Sequence, residues 1–372
     1  MRAIEFRLKN PAQPLTDAWQ HLPVAARGST LLGISFRPFQ AAAFGLEGRD
    51  TLRALLAYPY QIIRLGAYWN QIESEPGAFH PETLDWQIDA AEQAGKQIIL
   101  CVGALKTFGY PEFFVPQHYL NPPFREGTLI KPSAYASLLD AAKDFITRIV
   151  ERYRSRQSII AWQLEHEAVD PLGVEHSWRL AEAFVQQEAQ ALRKADPTRP
   201  VMMNGFLPTS LPVRLSQGWR TRDQGDSLAV ALRLADIVGI DYYPRHALVP
   251  VGSKTLYLDG SQSRWQEPRR KQLIAWTRTH GQKLLIAEGQ GEPWETVTTP
   301  SNPANQAMAS CLPEHVISNY NACIGWYGQP APLYAYLFWG AEYWLLRHQS
   351  GDPSYLRAFT RILEESKPVR DS

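Results

Sequence analysis

Residues Gln61–Val102 read QIIRLGAYWNQIESEPGAFHPETLDWQIDAAEQAGKQIILCV. Gln61–Leu65 is a short apolar run suited to a buried strand, and Lys96–Val102 is another. Between them Leu84, Ile88 and Ala91 recur at helical spacing. Pro81 stands at the first turn of that segment and Gly95 closes it. Two buried strands joined through a helix make a βαβ unit, because parallel strands need a crossover.

The same alternation runs along the chain. Thr30–Ser35 (TLLGIS) predicts a first strand, with a helix near Arg49–Ala57 behind it. Further helices are predicted over about Ser133–Tyr153, His176–Lys194, Ser227–Leu234, Pro268–Thr279 and Asn305–Ser318, and a closing one over Tyr355–Leu363. Ile159–Leu164, Pro200–Met203, Ile237–Ile240, Leu284–Ala287 and Tyr334–Phe338 supply strands four to eight. Eight such alternations predict an α/β protein built as a single (β/α)8 TIM barrel over residues 30–366. Residues 1–29 are expected to be an N-terminal extension. Within it Arg2, Glu5 and Arg7 interleave with Ile4, Phe6 and Leu8, as in an accessory strand.

Links from helix to strand are short, such as Gly95 alone or Asp196–Arg199. Links from strand to helix are long: Gly103–Pro132, Asn204–Gly225, Asp241–Glu267 and Gly289–Ala304. In a barrel these long loops cover the C-terminal face, where active sites lie. They carry Phe108, Tyr110, Phe113, Phe114, Trp219, Trp265 and Trp294. Asn319–Pro332, before strand eight, is long on the opposite side and is expected to hide a further element.

Composition narrows the function classes. With 45% hydrophobic and 20% charged residues, the 372-residue chain is globular, not disordered. A formal net charge of +1 gives no reason to expect nucleic acid or an anionic membrane as partner. Twelve Trp, 16 Tyr and 14 Phe stand out; core packing accounts for most of them, and aromatic faces are also platforms for ring-shaped ligands. Cys101, Cys311 and Cys323 form neither a disulfide framework nor a metal pattern and fit a reducing compartment. With no apolar signal region at the N-terminus, a cytoplasmic protein is expected. No feature fixes an oligomeric state.

Two strands end in carboxylates. Ile159–Glu167 (IIAWQLEHE) runs from an apolar strand into Gln163, Glu165, His166 and Glu167, and Leu284–Glu288 (LLIAE) runs into Glu288. Buried strands ending in polar groups are costly unless those groups are paired or used. Strands four and seven lie near-opposite across a barrel mouth, so Glu167 and Glu288 are expected to face one pocket. Two such carboxylates are what glycoside hydrolysis requires, one protonated to donate to the leaving oxygen and one ionised. Either alone would as readily be a core ion pair or a helix cap.

On these residues the chain resembles glycoside hydrolase clan A, the retaining (β/α)8 hydrolases. WQLEHE is similar to the W-Q-x-x-N-E element of family 42 β-galactosidases and their relatives. IIRLGAYWNQIESEPGAFHPETLDW, from Ile62 to Trp86, resembles the strand-two region of families 42, 35 and 5. The resemblance spans about residues 30–345 and does not select a family. It implies Glu167 as acid/base, Glu288 as nucleophile and Arg64 as the arginine that holds the nucleophile. It further implies that Tyr242 or Tyr243 bonds the nucleophile and that Trp339 is the aromatic floor under the sugar. Where the clan has Asn before the acid/base, this chain has His166. Imidazole can still hydrogen-bond a hydroxyl.

The reading is therefore a retaining glycosidase that takes an oligosaccharide or glycoside, without metal or other cofactor. Arg64, Trp69, Gln163, Glu165, His166, Asn204, Tyr242, Tyr243, Trp294 and Trp339 are the substrate-binding candidates. Glu165 reads equally as a buried support, Trp69 and Trp294 equally as packing, and Glu292 and Glu295 as solvated loop residues. HEAVD is not H-E-x-x-H, so no zinc site is expected. A sugar-binding barrel without turnover and a transglycosylase using the same two glutamates are the alternatives.

Overall fold

Eight parallel strands close into a barrel in the computed structural model, which describes residues 5–170, 176–221, 225–295, 302–326 and 333–366. They are β1 (Leu31–Ser35), β2 (Ile62–Gly66), β3 (Gln97–Cys101), β4 (Ile159–Gln163), β5 (Val201–Phe206), β6 (Ile237–Tyr242), β7 (Lys283–Gln290) and β8 (Ala335–Trp339). Each strand pairs with its neighbours in sequence, and β8 closes the ring onto β1. Each is a strand expected from the sequence, and helices separate them. The fold is the expected (β/α)8 barrel.

Period two along the strands builds the interior in layers. Ile62, Ile99, Ala161, Met202, Ile237, Leu285 and Leu337 form one buried apolar cluster inside the barrel. Two residues further on, facing the same way, come Arg64 after Ile62, Gln163 after Ala161, and Asn204 after Met202. The interior thus turns from apolar to polar as it nears the C-terminal mouth. On β6 the same parity places Gly239 and Asp241 inside and sends Ile240 and Tyr242 outward into the larger core beneath the helices.

On β7 alternation alone would send Glu288 outward, because Leu285 and Ala287 belong to the interior cluster. The register against β6 jumps from Ile240↔Ile286 to Asp241↔Glu288, leaving Ala287 as an extra residue. A β-bulge of this kind re-aims the next side chain.

Three expectations are corrected. The helix predicted over Asn305–Ser318 is Pro313–Ile324, and Gln306–Met308 instead pairs antiparallel with Ala12–Pro14. Pro313 suits a first turn, and the Leu312 N–H donates to His315 Nδ1 at 3.0 Å, which sets the start there. Up to Ile324, the overlong link before β8 is the rest of this helix; residues 327–332 lie outside the described residues. The helix predicted from His176 begins at Glu182, since Arg179–Leu180 is drawn into a parallel pair with Leu129–Ile130. Two of the long loops are not irregular. Leu211–Thr221 is a helix, and Arg245–Val251 with Lys254–Asp259 is a hairpin, onto which Glu5–Lys9 adds a third strand.

Cys101, Cys311 and Cys323 are buried free thiols. No described helix is long and apolar enough to cross a membrane.

Close approach inside the barrel is testable at Gly239. A Cβ there would stand 2.8 Å from Asn204 Cβ and 2.9 Å from Ala287 Cβ. Gly239→Ala is expected to cost about 1–3 kcal/mol by overpacking, measured as a lowered urea midpoint with unchanged slope.

Candidate active site

Arg64, fully buried on β2, is the hub of the upper layer. Its Nη1 donates to Glu288 Oε1 at 2.9 Å, and its Nε to Gln163 Oε1 at 2.7 Å. Its Nη2 lies 3.3 Å from His166 Nδ1, and its guanidinium carbon sits 4.0 Å from the centre of the Phe108 ring. Tyr243 OH donates to the other Glu288 oxygen at 2.6 Å, so both oxygens of that carboxylate are held. The network continues from Gln163 Nε2 to Asn204 Oδ1 at 2.9 Å. Asn204 Nδ2 then faces Asp241 Oδ2 at 2.6 Å and His166 Nδ1 at 2.9 Å.

Since Asn204 and Arg64 both donate towards His166 Nδ1, that nitrogen accepts, and the ring proton resides on Nε2. Burial first, then the charges of Arg64 and Lys106, hold this imidazole well below its ordinary pKa, so it is neutral. Its Nε2–H is left as a donor for the cavity that it lines.

Glu167 is in a different situation. It follows β4 in the left-handed region at φ 42°, the one positive-φ residue other than glycine among the described residues. Such a conformation costs about 1–3 kcal/mol and marks functional sites. Lys106 Nζ holds this turn by donating to the Glu167 carbonyl at 2.8 Å and the Asp170 carbonyl at 2.7 Å. Burial above all, then the negative charges of Asp241, Asp170 and Glu288, keeps the Glu167 carboxyl well above the usual range. Asp241 is pushed the same way by burial and Glu288, and its carboxyl meets that of Glu167. One oxygen on each has no protein donor. A proton shared between them satisfies both.

His166, Glu167, Tyr243, Glu288, Trp294 and Trp339 line one cavity of about 300 Å³, small even for a small-molecule site. The guanidinium carbon of Arg37 lies 4.2 Å from the centre of the Trp339 ring. Arg37 is itself fixed by Glu292 at 2.6 and 2.7 Å and by Glu342 at 2.7 Å. Trp294, 41% exposed, stands beside Tyr243 and His246 at the rim.

Several expected binding residues lie elsewhere. Arg64, Gln163 and Asn204 are fully buried and brace the cavity without lining it. Trp69 is packed against Tyr119 and Phe145, with its indole N–H on Glu73 at 2.9 Å. Tyr242 points outward on β6 and packs on Trp326; Tyr243, one residue on, is the tyrosine that bonds Glu288. Glu165 is a support, accepting from the Leu105 N–H at 2.9 Å and the Lys106 N–H at 2.5 Å. Glu292 is not solvated, because Arg37 holds it, and Glu295 receives the Tyr257 hydroxyl at 2.5 Å. Asp241 and Lys106 were not singled out from the sequence. Period two on β6 would have found Asp241; nothing local marks Lys106.

His166, Asp241 and Glu288 bring three potential metal ligands within 4.8 Å of one another. Arg64 stands on two of them and Asn204 on the third, so protein donors already occupy the group. It does not suit a cation.

No protein-family model matches the sequence, and no curated protein matches it. Solved structures share the fold. GH5_18 from Streptomyces cattleya, in complex with GlcNAc, aligns over 93% of this chain and 83% of its own, with a TM-score of 0.58 and 14% identity. A variant of the same enzyme is in complex with Manβ1-4GlcNAc. A GH5_18 from Bifidobacterium longum subsp. infantis aligns over 91% and 80%, at a TM-score of 0.56 and 13% identity. Xylanase 10B from Thermotoga petrophila RKU-1, in complex with xylobiose, aligns over 92% and 98%, at 0.51 and 14%. All are glycoside hydrolases of clan A, and what they share with this chain at such identity is the barrel.

Behind the site, Glu165 contacts Glu188. Burial pushes Glu165 up to about 7. Burial and then Glu165 hold Glu188 well above its ordinary value of 4.5. Both oxygens of Glu188 lack a protein donor, so a proton on Glu188 completes the pair. A carboxyl raised on folding binds its proton more tightly when folded. Its stabilisation is full below the unfolded value and is lost as pH climbs through the folded one. Unfolding free energy should therefore fall between about pH 5 and pH 8. Glu188→Gln keeps a donor for Glu165 without a proton to lose. Denaturant titrations across that range should show a shallower fall for this variant; an identical slope would assign the pH dependence to other groups.

Proposed function

We propose that the chain is a retaining glycoside hydrolase of clan A that acts on a β-linked glycoside. One observation carries this reading: the two carboxyls of a single cavity are treated oppositely. Glu167 is kept protonated by burial and surrounding negative charge. Glu288 receives a guanidinium on one oxygen and a phenol on the other. Environments that divide two carboxyls in this way assign acid and nucleophile. The sugars bound in the structures that share the fold support a carbohydrate ligand, and the β-mannoside among them supports the linkage.

In this mechanism the sugar lies on Trp339, with the His166 Nε2–H donating to one of its hydroxyls. A Glu288 oxygen attacks the anomeric carbon while the bond to the leaving oxygen breaks, and that oxygen takes the Glu167 proton. The product is a glycosyl ester on Glu288. Glu167, now a carboxylate, removes a proton from water as the water oxygen attacks the same carbon and releases Glu288. Asp241 acts through Glu167: its negative charge favours the protonated acid before the first step and the return of the proton after the second. Tyr243 and Arg64 hold Glu288 in line. Burial and Glu288 keep the Tyr243 phenol far above its ordinary pKa, so it remains a donor.

A panel of 2-fluoro-glycosides read by peptide mass should place the covalent adduct on Glu288. Glu167→Ala should lower kcat/KM on unactivated glycosides by about 10²–10⁴-fold. It should cost much less on dinitrophenyl glycosides, with azide restoring turnover as a β-glycosyl azide. A wild-type protein that binds sugars yet hydrolyses no aryl glycoside and gains no adduct would instead be a sugar-binding barrel.

A further inference from the structure

A second groove, of about 260 Å³, opens beside the catalytic cavity and shares Glu167, Phe206, Val213 and Leu248 with it, but not Glu288. On the proposed mechanism the acid stands between the sugar and its leaving group. The space reached past Glu167, away from Glu288, is therefore the leaving-group side. Its apolar walls come mostly from the inserted elements: Phe6 and Leu258 from the three-stranded sheet, Leu248 from the hairpin, and Pro212 and Val213 from the helix Leu211–Thr221, with Phe206 from the end of the barrel strand β5.

A second sugar would bring several hydroxyls, each needing a partner once buried. The groove offers few. Asp170 Oδ2 already accepts from Gln217 Nε2 at 3.0 Å, and Thr221 Oγ1 is turned back onto the Gln217 carbonyl at 3.2 Å. What remains is Ser216, the rest of the Gln217 amide and one buried oxygen of Asp170, which has no protein donor. The opposite face of the same helix carries Leu211, Leu215 and Trp219 one turn apart, the last 81% exposed.

We infer that the leaving group of the natural substrate is an apolar aglycone, an alkyl chain or a hydrophobic ring, and not a second sugar. This rests on the glycosidase reading and deepens it. The substrate class is thus an apolar β-glycoside, hydrolysed to a free sugar and a hydrophobic alcohol.

The test uses the full chain and methyl, butyl, hexyl, octyl and dodecyl β-glycosides of glucose, galactose and mannose, assayed as monomers. Simple alkyl leaving groups have nearly the same acidity, so the series varies apolar contact alone. For the accepted sugar, kcat/KM should climb by about two- to fourfold per methylene over the first several carbons. It should also exceed kcat/KM for disaccharides of that sugar. A climb that continues through dodecyl identifies a lipid-like chain; a plateau at hexyl, matched by the benzyl glycoside, identifies a compact ring. Phe6→Ser and Ser216→Asp alter the exposed wall of the groove and should collapse the octyl-to-methyl ratio towards one. A flat alkyl series, or a disaccharide preferred over the octyl glycoside, overturns the inference. Glycosyl fluorides, which carry no aglycone chain, separate the two failures: fluoride hydrolysis with a flat alkyl series sinks this inference alone, and no fluoride hydrolysis sinks the glycosidase reading too.

Discussion

A guanidinium inside a barrel, sealed from water, sets the terms for everything above it. Arg64 has no exposed surface, and an ion moved there costs on the order of several kcal/mol unless its donors are met. Meeting them orients a chain of other groups. Gln163 must turn its oxygen to Arg64, so its amide donates to Asn204. Asn204 must accept there, so its own amide faces Asp241 and His166. His166 must accept at Nδ1, so its proton goes to Nε2. One buried cation thereby fixes two amide orientations and a tautomer, and ends at the atom offered to the ligand. An interior filled by Ile and Leu alone would be easier to bury but would orient nothing.

Around that cation, carboxyls are in excess. Glu165, Glu167, Asp170, Glu188, Asp241 and Glu288 are all buried, and the cations among them are Arg64 and Lys106. Buried carboxylates that outnumber their counter-charges cannot all remain ionised, and the deficit is made up with protons. Arg64 stands on Glu288, and Lys106 spends its hydrogen bonds on backbone carbonyls. Protonation therefore falls on the remaining groups, among them the pair of Glu167 and Asp241, which shares one proton. The proton on Glu167 follows from charge balance across a whole layer of the barrel, not from the surroundings of one glutamate.

Most of this layer was legible in the sequence because strands have a fixed period and barrels a fixed polarity. The eight strands and the two carboxylates at the ends of β4 and β7 could be anticipated in this way, and the contact between Arg64 and Glu288 from the resemblance to clan A. Parity on β6 would even have chosen Tyr243 over Tyr242, because Gly239 and Asp241 already define the inward face. The bulge at Ala287 was not legible, since nothing in LLIAE distinguishes a strand that slips one residue from one that does not. Trp69 was misplaced for a related reason: it stands in the short helix Trp69–Ile72 after β2, where period two no longer applies. The inserted helix and hairpin were read as loops because their apolar residues face a groove and solvent, and so lack the periodic burial that announces an element. Val251–Lys254, with Gly252 at φ 61°, was the hairpin's one local signal.

The part that was hardest to read is also the part that differs in kind. The Glu288 side of the site is made by strand residues whose directions the barrel dictates. Glu167 is locked to that side before any ligand arrives, because Glu165 holds the loop after β3 by its backbone while Lys106, from that loop, holds the turn carrying Glu167. Such preorganisation is what lets a strained residue at φ 42° keep its carboxyl in place. The neighbouring groove is made mostly by an N-terminal strand, a hairpin and a helix, none of which the barrel needs in order to close. On the glycosidase reading, sugar recognition is thereby tied to the geometry that stabilises the fold, while recognition of the leaving group depends on surfaces free to vary. An apolar groove can arise on the second side without disturbing the charge balance of the first, since it brings no further ion into the interior.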